Sequence, residues 1–251
     1  MRTVFPASLF AGQPGAHGMV QAALSGMGRV WTDSPENPRC AVAAAGDFLY
    51  CGGEAEDCAV QLLRQALTSA SREWLIYAPG AWREALERIG PAEEITRWAF
   101  DPRVQPEDAH LRALLEKLPA GARLQPIEGP WIPWCRQFRW SEDFVSLYTD
   151  EAYARKGLGV LLMVDGEVAA GASSYVSYPG GIEIQLQTRD DRQGRGYATL
   201  AAAKLILMAH ERGLSAGWDA ANEASAHIAQ KLGYRSAGSY RVCVLESAKM
   251  Y

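Results

Sequence analysis

The chain has 251 residues with 25 basic and 29 acidic side chains, a formal charge of −4. At roughly 150 residues per domain, that length allows one large domain or two modest ones. A content of 48% hydrophobic residues with eight Trp excludes a disordered or fibrous chain, and mild acidity without any concentration of Lys and Arg argues against a nucleic-acid partner. Up to residue 40 the chain is rich in Gly and Pro and is expected to form loops around one short helix near 19–27. A strand over 48–51 closes at Gly52 and Gly53, and Ala59, Leu62, Leu63, Ala66 and Leu67 recur at helical spacing within 55–70. A strand over 74–77 stops at Pro79-Gly80, a helix marked by Trp82, Leu86 and Ile89 ends at Gly90-Pro91, and Trp98 and Phe100 mark a third strand. Pro106 opens a helix that turns Leu111, Leu114, Leu115 and Leu118 inward. Strands alternating with helices at this spacing indicate an α/β unit.

Pro126, Gly129, Pro130 and Pro133 interrupt regular structure over 121–133, which places a domain boundary there. The expected partition is an N-terminal α/β domain over 1–125 and a second domain over 126–251. In the second, 141–148 reads as a short capped helix. Two strands, 158–164 and 167–175, form a hairpin around Asp165-Gly166, a dipeptide that tolerates the positive φ of a two-residue turn. A third strand covers 182–188. A Gly-containing loop, a long helix to Arg212, a short strand through Trp218, a helix over 222–232 and two last β segments complete the chain. The five cysteines (Cys40, Cys51, Cys58, Cys135, Cys243) include no CxxC pair, so neither a zinc spacing nor a disulfide framework is expected. No apolar run approaches the ~20 residues of a membrane span, and the N-terminus is broken by Pro6 before a signal core. A cytoplasmic protein without membrane partners is expected.

Three pieces of the second half carry chemistry. The first is Gln193-Gly194-Arg195-Gly196-Tyr197-Ala198-Thr199, where a loop with two glycines opens a helix. Glycines let backbone N–H groups approach a ligand, and the helix N-terminus adds unpaired donors, so the turn suits a pyrophosphate or is a plain strand-to-helix connection. It is neither a GxGxxG nor a Walker loop. The second is the preceding strand, where Glu183, Gln185 and Gln187 alternate with Ile182, Ile184 and Leu186 and so share one face. That face lines a wet cleft or belongs to a solvated edge, and a β-bulge would turn Thr188 inward in place of Gln187. The third is Trp218-Asp219-Ala220-Ala221-Asn222, followed by Ser225 and Lys231-Leu232-Gly233-Tyr234. Asn222 suits a helix N-cap and Gly233 a left-handed C′ residue.

Together these pieces resemble the GNAT superfamily of acyl-CoA-dependent N-acetyltransferases. Gln193, Gly196 and Ala198 match its Q/R-x-x-G-x-G/A loop, and Asn222, Ser225 and 231–234 follow its Asn-x-x-Ala/Ser and Lys-Leu-Gly-Phe/Tyr pattern. The longer run from Gly181-Ile-Glu-Ile to Asn222 is similar to the branch that includes zwittermicin A resistance acetyltransferases. The resemblance covers about 140–246. It implies a mixed sheet splayed between its fourth and fifth strands, with 182–188 as the fourth and acetyl-CoA as co-substrate. Gln187 and Thr188 would then meet the pantetheine arm, and the amides of Gly194 to Thr199, with Gln193 and Arg195 beside them, would hold the pyrophosphate. Asn222 would touch the pantetheine, and Arg189 and Arg192 would be further phosphate partners or plain solvated loop arginines.

The implied activity is acetyl transfer to the primary amine of a small molecule, an antibiotic or metabolite. Glu183 is the candidate base, or it binds the substrate ammonium. Gln185, Trp218 and Asp219 are candidate substrate contacts, alongside the core and turn roles open to the last two. Where many members place a Tyr four residues before the Gly of Leu-Gly-Phe/Tyr, this chain has Ala229, so Tyr240 or Tyr197 stands in as a candidate acid. The alternative reading is a catalytically degenerate acyl-CoA-binding module. The N-terminal half offers no catalytic constellation and is expected to wall the acceptor site or to mediate a homodimer.

Overall fold

A computed structural model describes residues 7–55, 58–68 and 73–246. Helix α1 (Ala16–Ala22) runs into a π-helical turn, Ala23–Met27, in which Gly26 takes a φ of 94°. Strands β1 (Gly28–Thr32), β2 (Cys40–Ala45) and β3 (Phe48–Gly53) follow as an antiparallel meander. β1 falls in the stretch expected to be loop, and β2 has no counterpart among the expected elements. All six residues of β2 are buried, and a strand covered on both faces carries no polar alternation to read.

Helix α2 (Ala59–Leu67) turns its expected residues inward, although parts of the longer 55–70 helix lie outside the described residues. Strand β4 (Glu73–Tyr77), helix α3 (Ala81–Glu87), strand β5 (Glu93–Phe100) and helix α4 (Asp108–Leu115) stand where expected. The 121–133 stretch is more regular than its prolines imply: it holds β6 (Arg123–Pro126) and the start of α5 (Trp131–Cys135). Pro126 ends a strand at a sheet edge, where a missing N–H costs no ladder bond. Pro133 lies in the first turn of α5, where N–H groups have no intrahelical acceptor. The helix expected over 141–148 is only a 3-10 turn, Glu142–Phe144, because the Ser141 hydroxyl donates back to the Cys135 carbonyl at 2.8 Å rather than capping. An unexpected helix, α6 (Asp150–Lys156), is capped by Thr149, whose hydroxyl accepts from Ala152 N at 3.2 Å.

The hairpin of β7 (Gly159–Val164) and β8 (Glu167–Tyr178) turns at Asp165 and Gly166, with φ of 53° and 81°. Then come β9 (Gly181–Thr188), a 3-10 turn Asp190–Arg192, α7 (Tyr197–Glu211), β10 (Ser215–Gly217), β11 (Asp219–Ala220) and α8 (Glu223–Leu232). The two β segments expected last are one strand, β12 (Ser236–Glu246). The fold is mixed α/β, with two mixed sheets flanked by helices.

The chain divides into two compact units, one taking in everything up to Trp98 and from Gly238 onward, the other Ala99–Ala237. The second unit therefore starts upstream of residue 126 and returns the last strand to the first. In the first unit the strand order is β1-β2-β3-β4-β12-β5, with β3 and β4 parallel. Its core gathers Val42, Leu49, Leu63, Ile76, Trp82, Leu86 and Leu245.

In the second unit the order is β6-β7-β8-β9-β10, with only β9 and β10 parallel. Helix α7 packs on β7 to β10, and Leu205, Ile206 and Leu207 are each at most 2% exposed. Burying each stabilises the unit by about 1.5–3 kcal/mol. Helix α4 lies on α7, where Asp108 Oδ1 meets His210 Nδ1 at 2.7 Å and is held below the usual carboxylate range by that bond. Asp101, past the end of β5, is clamped by Arg103 and Arg235, which keep its carboxyl well below that range.

Candidate active site

The site is built where β9 loses a neighbour. β10 runs parallel to β9 for only three residues, pairing Ser215 with Gly181, Ala216 with Ile182 and Gly217 with Glu183. The chain then leaves this sheet, and β11 is not one of its strands. β9 continues from Ile184 to Thr188 on β8 alone. Its other edge faces a gap in which alternate N–H and C=O groups have no strand to pair with among the described residues, and such groups need partners. Gly181 and Ile182 are buried, whereas every residue from Glu183 to Thr188 is half-buried. Counting from β6, β9 is the fourth strand and β10 the fifth, so the sheet opens between the two strands the resemblance implies. The bulge lies in β8 at Tyr175, opposite Glu183 and Ile184, and not in β9; Gln187 and Thr188 keep regular register with Gly171 and Ala170.

Glu183 stands at the point of divergence. Its carboxylate fills the space that a side chain on Gly217 would take: a β-carbon there would lie 2.5 Å from Glu183 Cδ and closer still to Oε1. A glycine in a strand often marks such an approach, and Gly217 is the one local sign of it in the sequence. Tyr178 and Tyr234 flank the carboxylate, and burial together with the nearby Glu183 charge pushes both phenols up. Both are therefore neutral at physiological pH. The Tyr234 hydroxyl donates to the Ala216 carbonyl at 2.7 Å, which ties it to β10.

Trp218 is 6% exposed, packs on Tyr234 at 5.6 Å between ring centres and donates from Nε1 to Ser225 Oγ at 3.2 Å. The indole thus props the end of β10. Asp219 is half-buried at the start of β11, and Gln185 is half-buried two residues along β9 from Glu183. Tyr240 belongs to the first unit, on β12, where its buried ring meets Tyr77 edge-on at 5.8 Å. Ala229 is wholly buried in α8.

At the end of β9 the chain makes the loop into α7. Gly194 and Gly196 take φ of 75° and 77°, a conformation costly for other residues, and no atom lies within 4 Å of where either β-carbon would be. Gly196 is the N-cap of the 15-residue α7 and supplies no side-chain cap. The first N–H groups of α7, at Tyr197, Ala198 and Thr199, therefore keep the donor capacity and partial positive charge of a helix N-terminus. Tyr197 and Thr199 point inward as buried anchors, while Gln193 to Gly196 are exposed. Gln193 Nε2 donates to Asp190 Oδ1 at 3.1 Å. Arg189 and Arg192 each pair with both Glu167 and Asp191, which leaves Arg195 as the exposed cation of the loop. Asn222 Oδ1 accepts from Ser225 N at 2.9 Å as the N-cap of α8, and its side-chain amide is exposed. The arrangement offers a polyanion site at one end of an open strand edge and a carboxylate at the other.

A family model described as GNAT acetyltransferase matches residues 7–243, across both units. The structure of a GCN5-related N-acetyltransferase-like protein from Streptococcus suis 89/1591 is 31% identical, over 94% of this chain and 95% of that one, with a TM-score of 0.83. A GCN5-related N-acetyltransferase from Kribbella flavida shares the fold at 17% identity and a TM-score of 0.59, over 92% and 96% of the two chains. No curated protein matches. Among the described residues, no helix is long and apolar enough to cross a membrane.

Proposed function

The chain belongs to the GNAT acetyltransferase family, and from that premise we propose that it moves an acetyl group from acetyl-CoA to the primary amine of a small molecule. The observation that carries this reading is the five-residue open edge of β9, Ile184 to Thr188, running directly into the uncapped N-terminus of α7. The chemistry of the donors fits the group. A pantetheine arm carries amides that pair with a strand edge, and a pyrophosphate suits helix amides approached over glycines with no β-carbon. Gln187 and Thr188 would flank the arm, Gly194 to Thr199 the pyrophosphate, Gln193 and Arg195 its rim, and Asn222 the pantetheine from the side of α8. Bound there, acetyl-CoA would supply the acyl group as a thioester, whose alkyl thiolate, the anion of an acid far stronger than an alcohol, leaves without a strong acid.

The chain's own residues must deliver a neutral amine to that point. Glu183, held where Gly217 leaves room, takes the proton from the incoming ammonium, directly or through water. Its two phenol neighbours stay protonated and add no competing charge. Gln185, on the same strand, offers an amide to the acceptor, and Asp219 a carboxylate. Trp218 acts by packing. No acid is assigned, and the buried Ala229 takes no part. The run from Gly181 to Asn222 that is similar to zwittermicin A resistance acetyltransferases supports a polar amine as acceptor, and the reaction is placed in the cytoplasm as one compartment that supplies acetyl-CoA.

The test is acetyl-CoA-dependent thiol release across a panel of small amines, with Glu183→Gln beside the parent. Release with at least one amine, lost in Glu183→Gln while acetyl-CoA still binds, is the expected result. Failure of the parent to bind acetyl-CoA at millimolar concentration would overturn the reading. Binding without turnover on any amine would favour a degenerate acyl-CoA-binding module.

A further inference from the structure

Within the first unit, three side chains that sequence spacing keeps apart come together. Asp33 lies in the loop after β1, Cys40 is the first residue of β2 and Cys58 is the N-cap of α2. The sulfurs of Cys40 and Cys58 are 3.2 Å apart, and the two sulfurs and an Asp33 carboxylate oxygen all lie within 4.8 Å of one another. Among the described residues this is the one group of three or more His, Cys, Asp or Glu side chains that converges in this way.

We infer that Asp33, Cys40 and Cys58 form a binding site for one thiophilic divalent cation of the Zn2+ class, which ties the β1–β2 loop to the start of α2. The smaller displacement favours this over a disulfide. Tetrahedral Zn2+ with Zn–S of about 2.3 Å sets two sulfurs about 3.8 Å apart, so the pair has to open by about 0.6 Å. A disulfide at about 2.05 Å requires it to close by about 1.2 Å, and it makes no use of the carboxylate.

The carboxylate is already aimed. Asp33 Oδ1 accepts from the backbone N–H groups of Arg39 at 3.0 Å and Cys40 at 3.2 Å. These bonds fix its orientation, as hydrogen bonds to the ligands of known metal sites do, and they leave the remaining lone pairs for coordination. Exposure is graded in the right sense: Cys40 is buried, Cys58 half-buried and Asp33 exposed. The fourth tetrahedral position therefore opens to solvent and takes a water.

The other three cysteines are unsuited to the task. Burial pushes the thiols of Cys51 and Cys243 up and that of Cys135 up to about 12, so they stay protonated. On binding, the two S–H bonds at Cys40 and Cys58 break and their protons pass to solvent. Two metal–sulfur bonds and one metal–oxygen bond form, nothing is oxidised or reduced, and the ligands bring three negative charges to the cation's two positive ones.

The test is titration of the reduced full-length chain, free of any histidine tag, with Co2+. The expected result is a thiolate-to-cobalt charge-transfer absorption that saturates at one Co2+ per chain. Asp33→Asn should weaken Co2+ binding by about tenfold or more, and Cys58→Ser should abolish the one-to-one complex. Cys58 is the thiol to change because Cys40 is wholly buried. Circular dichroism of Cys58→Ser keeps loss of metal distinct from loss of fold, and Zn2+ should raise the thermal midpoint of the parent but not of that variant. No charge-transfer band at a severalfold excess of Co2+ overturns the inference. A band unchanged in Cys58→Ser does so too, as does a Cys40–Cys58 disulfide in protein isolated without reductant.

Discussion

Gly217→Ala should lower kcat for acetyl transfer about 100-fold or more while acetyl-CoA binds within a few-fold of the parent. The magnitude is that of losing a positioned general base. An alanine methyl would occupy the place of the Glu183 carboxylate, 2.5 Å from Cδ, and two atoms cannot share it. The carboxylate, at the far end of a flexible side chain, moves more easily than the backbone, so the fold survives and the base is displaced. Gly217 is not among the glycines with positive φ, so alanine brings no backbone strain of its own. Glu183→Gln, which keeps the shape and removes the base, should cost a similar factor. The double variant should be little worse than either alone, because both changes remove one function. Steady-state thiol release with a fixed amine measures all three. Full activity in Gly217→Ala would show that Glu183 does not act from this position.

Gly196→Asp should raise the dissociation constant for acetyl-CoA about 100-fold or more with little loss of stability. No atom lies near the position of the new β-carbon, so the substitution meets no steric clash. Holding a non-glycine residue in the left-handed conformation costs about 1–2 kcal/mol, and a carboxylate at the N-terminus of α7 offsets roughly 0.3–1 kcal/mol of that. The same carboxylate faces the pyrophosphate. Two unit charges about 4 Å apart repel by about 4 kcal/mol at an effective dielectric near 20, and salt screens an exposed pair below that. Gly196→Asn carries the strain without the charge and should cost far less. Calorimetric titration of both variants at two salt concentrations separates charge from strain.

The chemistry of the second unit was legible in the sequence wherever it is local. Asp165-Gly166 sets its turn by two positive φ values, Asn222 and Gly233 cap both ends of α8, and Gly194 and Gly196 open α7. In each case the residue that carries the signal is the residue that does the work. Features made by two distant segments were not legible. The importance of Gly217 depends on a parallel register with Glu183, 34 positions earlier, and sequence periodicity carries no register. The splay depends on β10 ending after three residues, which nothing in Trp218-Asp219 announces. β2, with four alanines in six residues, looks featureless because it is buried throughout. The prolines of 121–133 were misleading because β6 and α5 place Pro126 and Pro133 where no N–H is required. The scattered cysteines match no metal spacing, yet the fold sets Cys40 and Cys58 side by side.

The central claim is that acetyl-CoA lies along the open edge of β9 with its pyrophosphate on α7. Backbone hydrogen exchange of the full chain, with and without saturating acetyl-CoA, tests it most directly. Slower exchange at amides within 184–188 and at Tyr197, Ala198 and Thr199 is the predicted result. Unchanged exchange in both segments at millimolar acetyl-CoA, or protection confined to other parts of the chain, would contradict it.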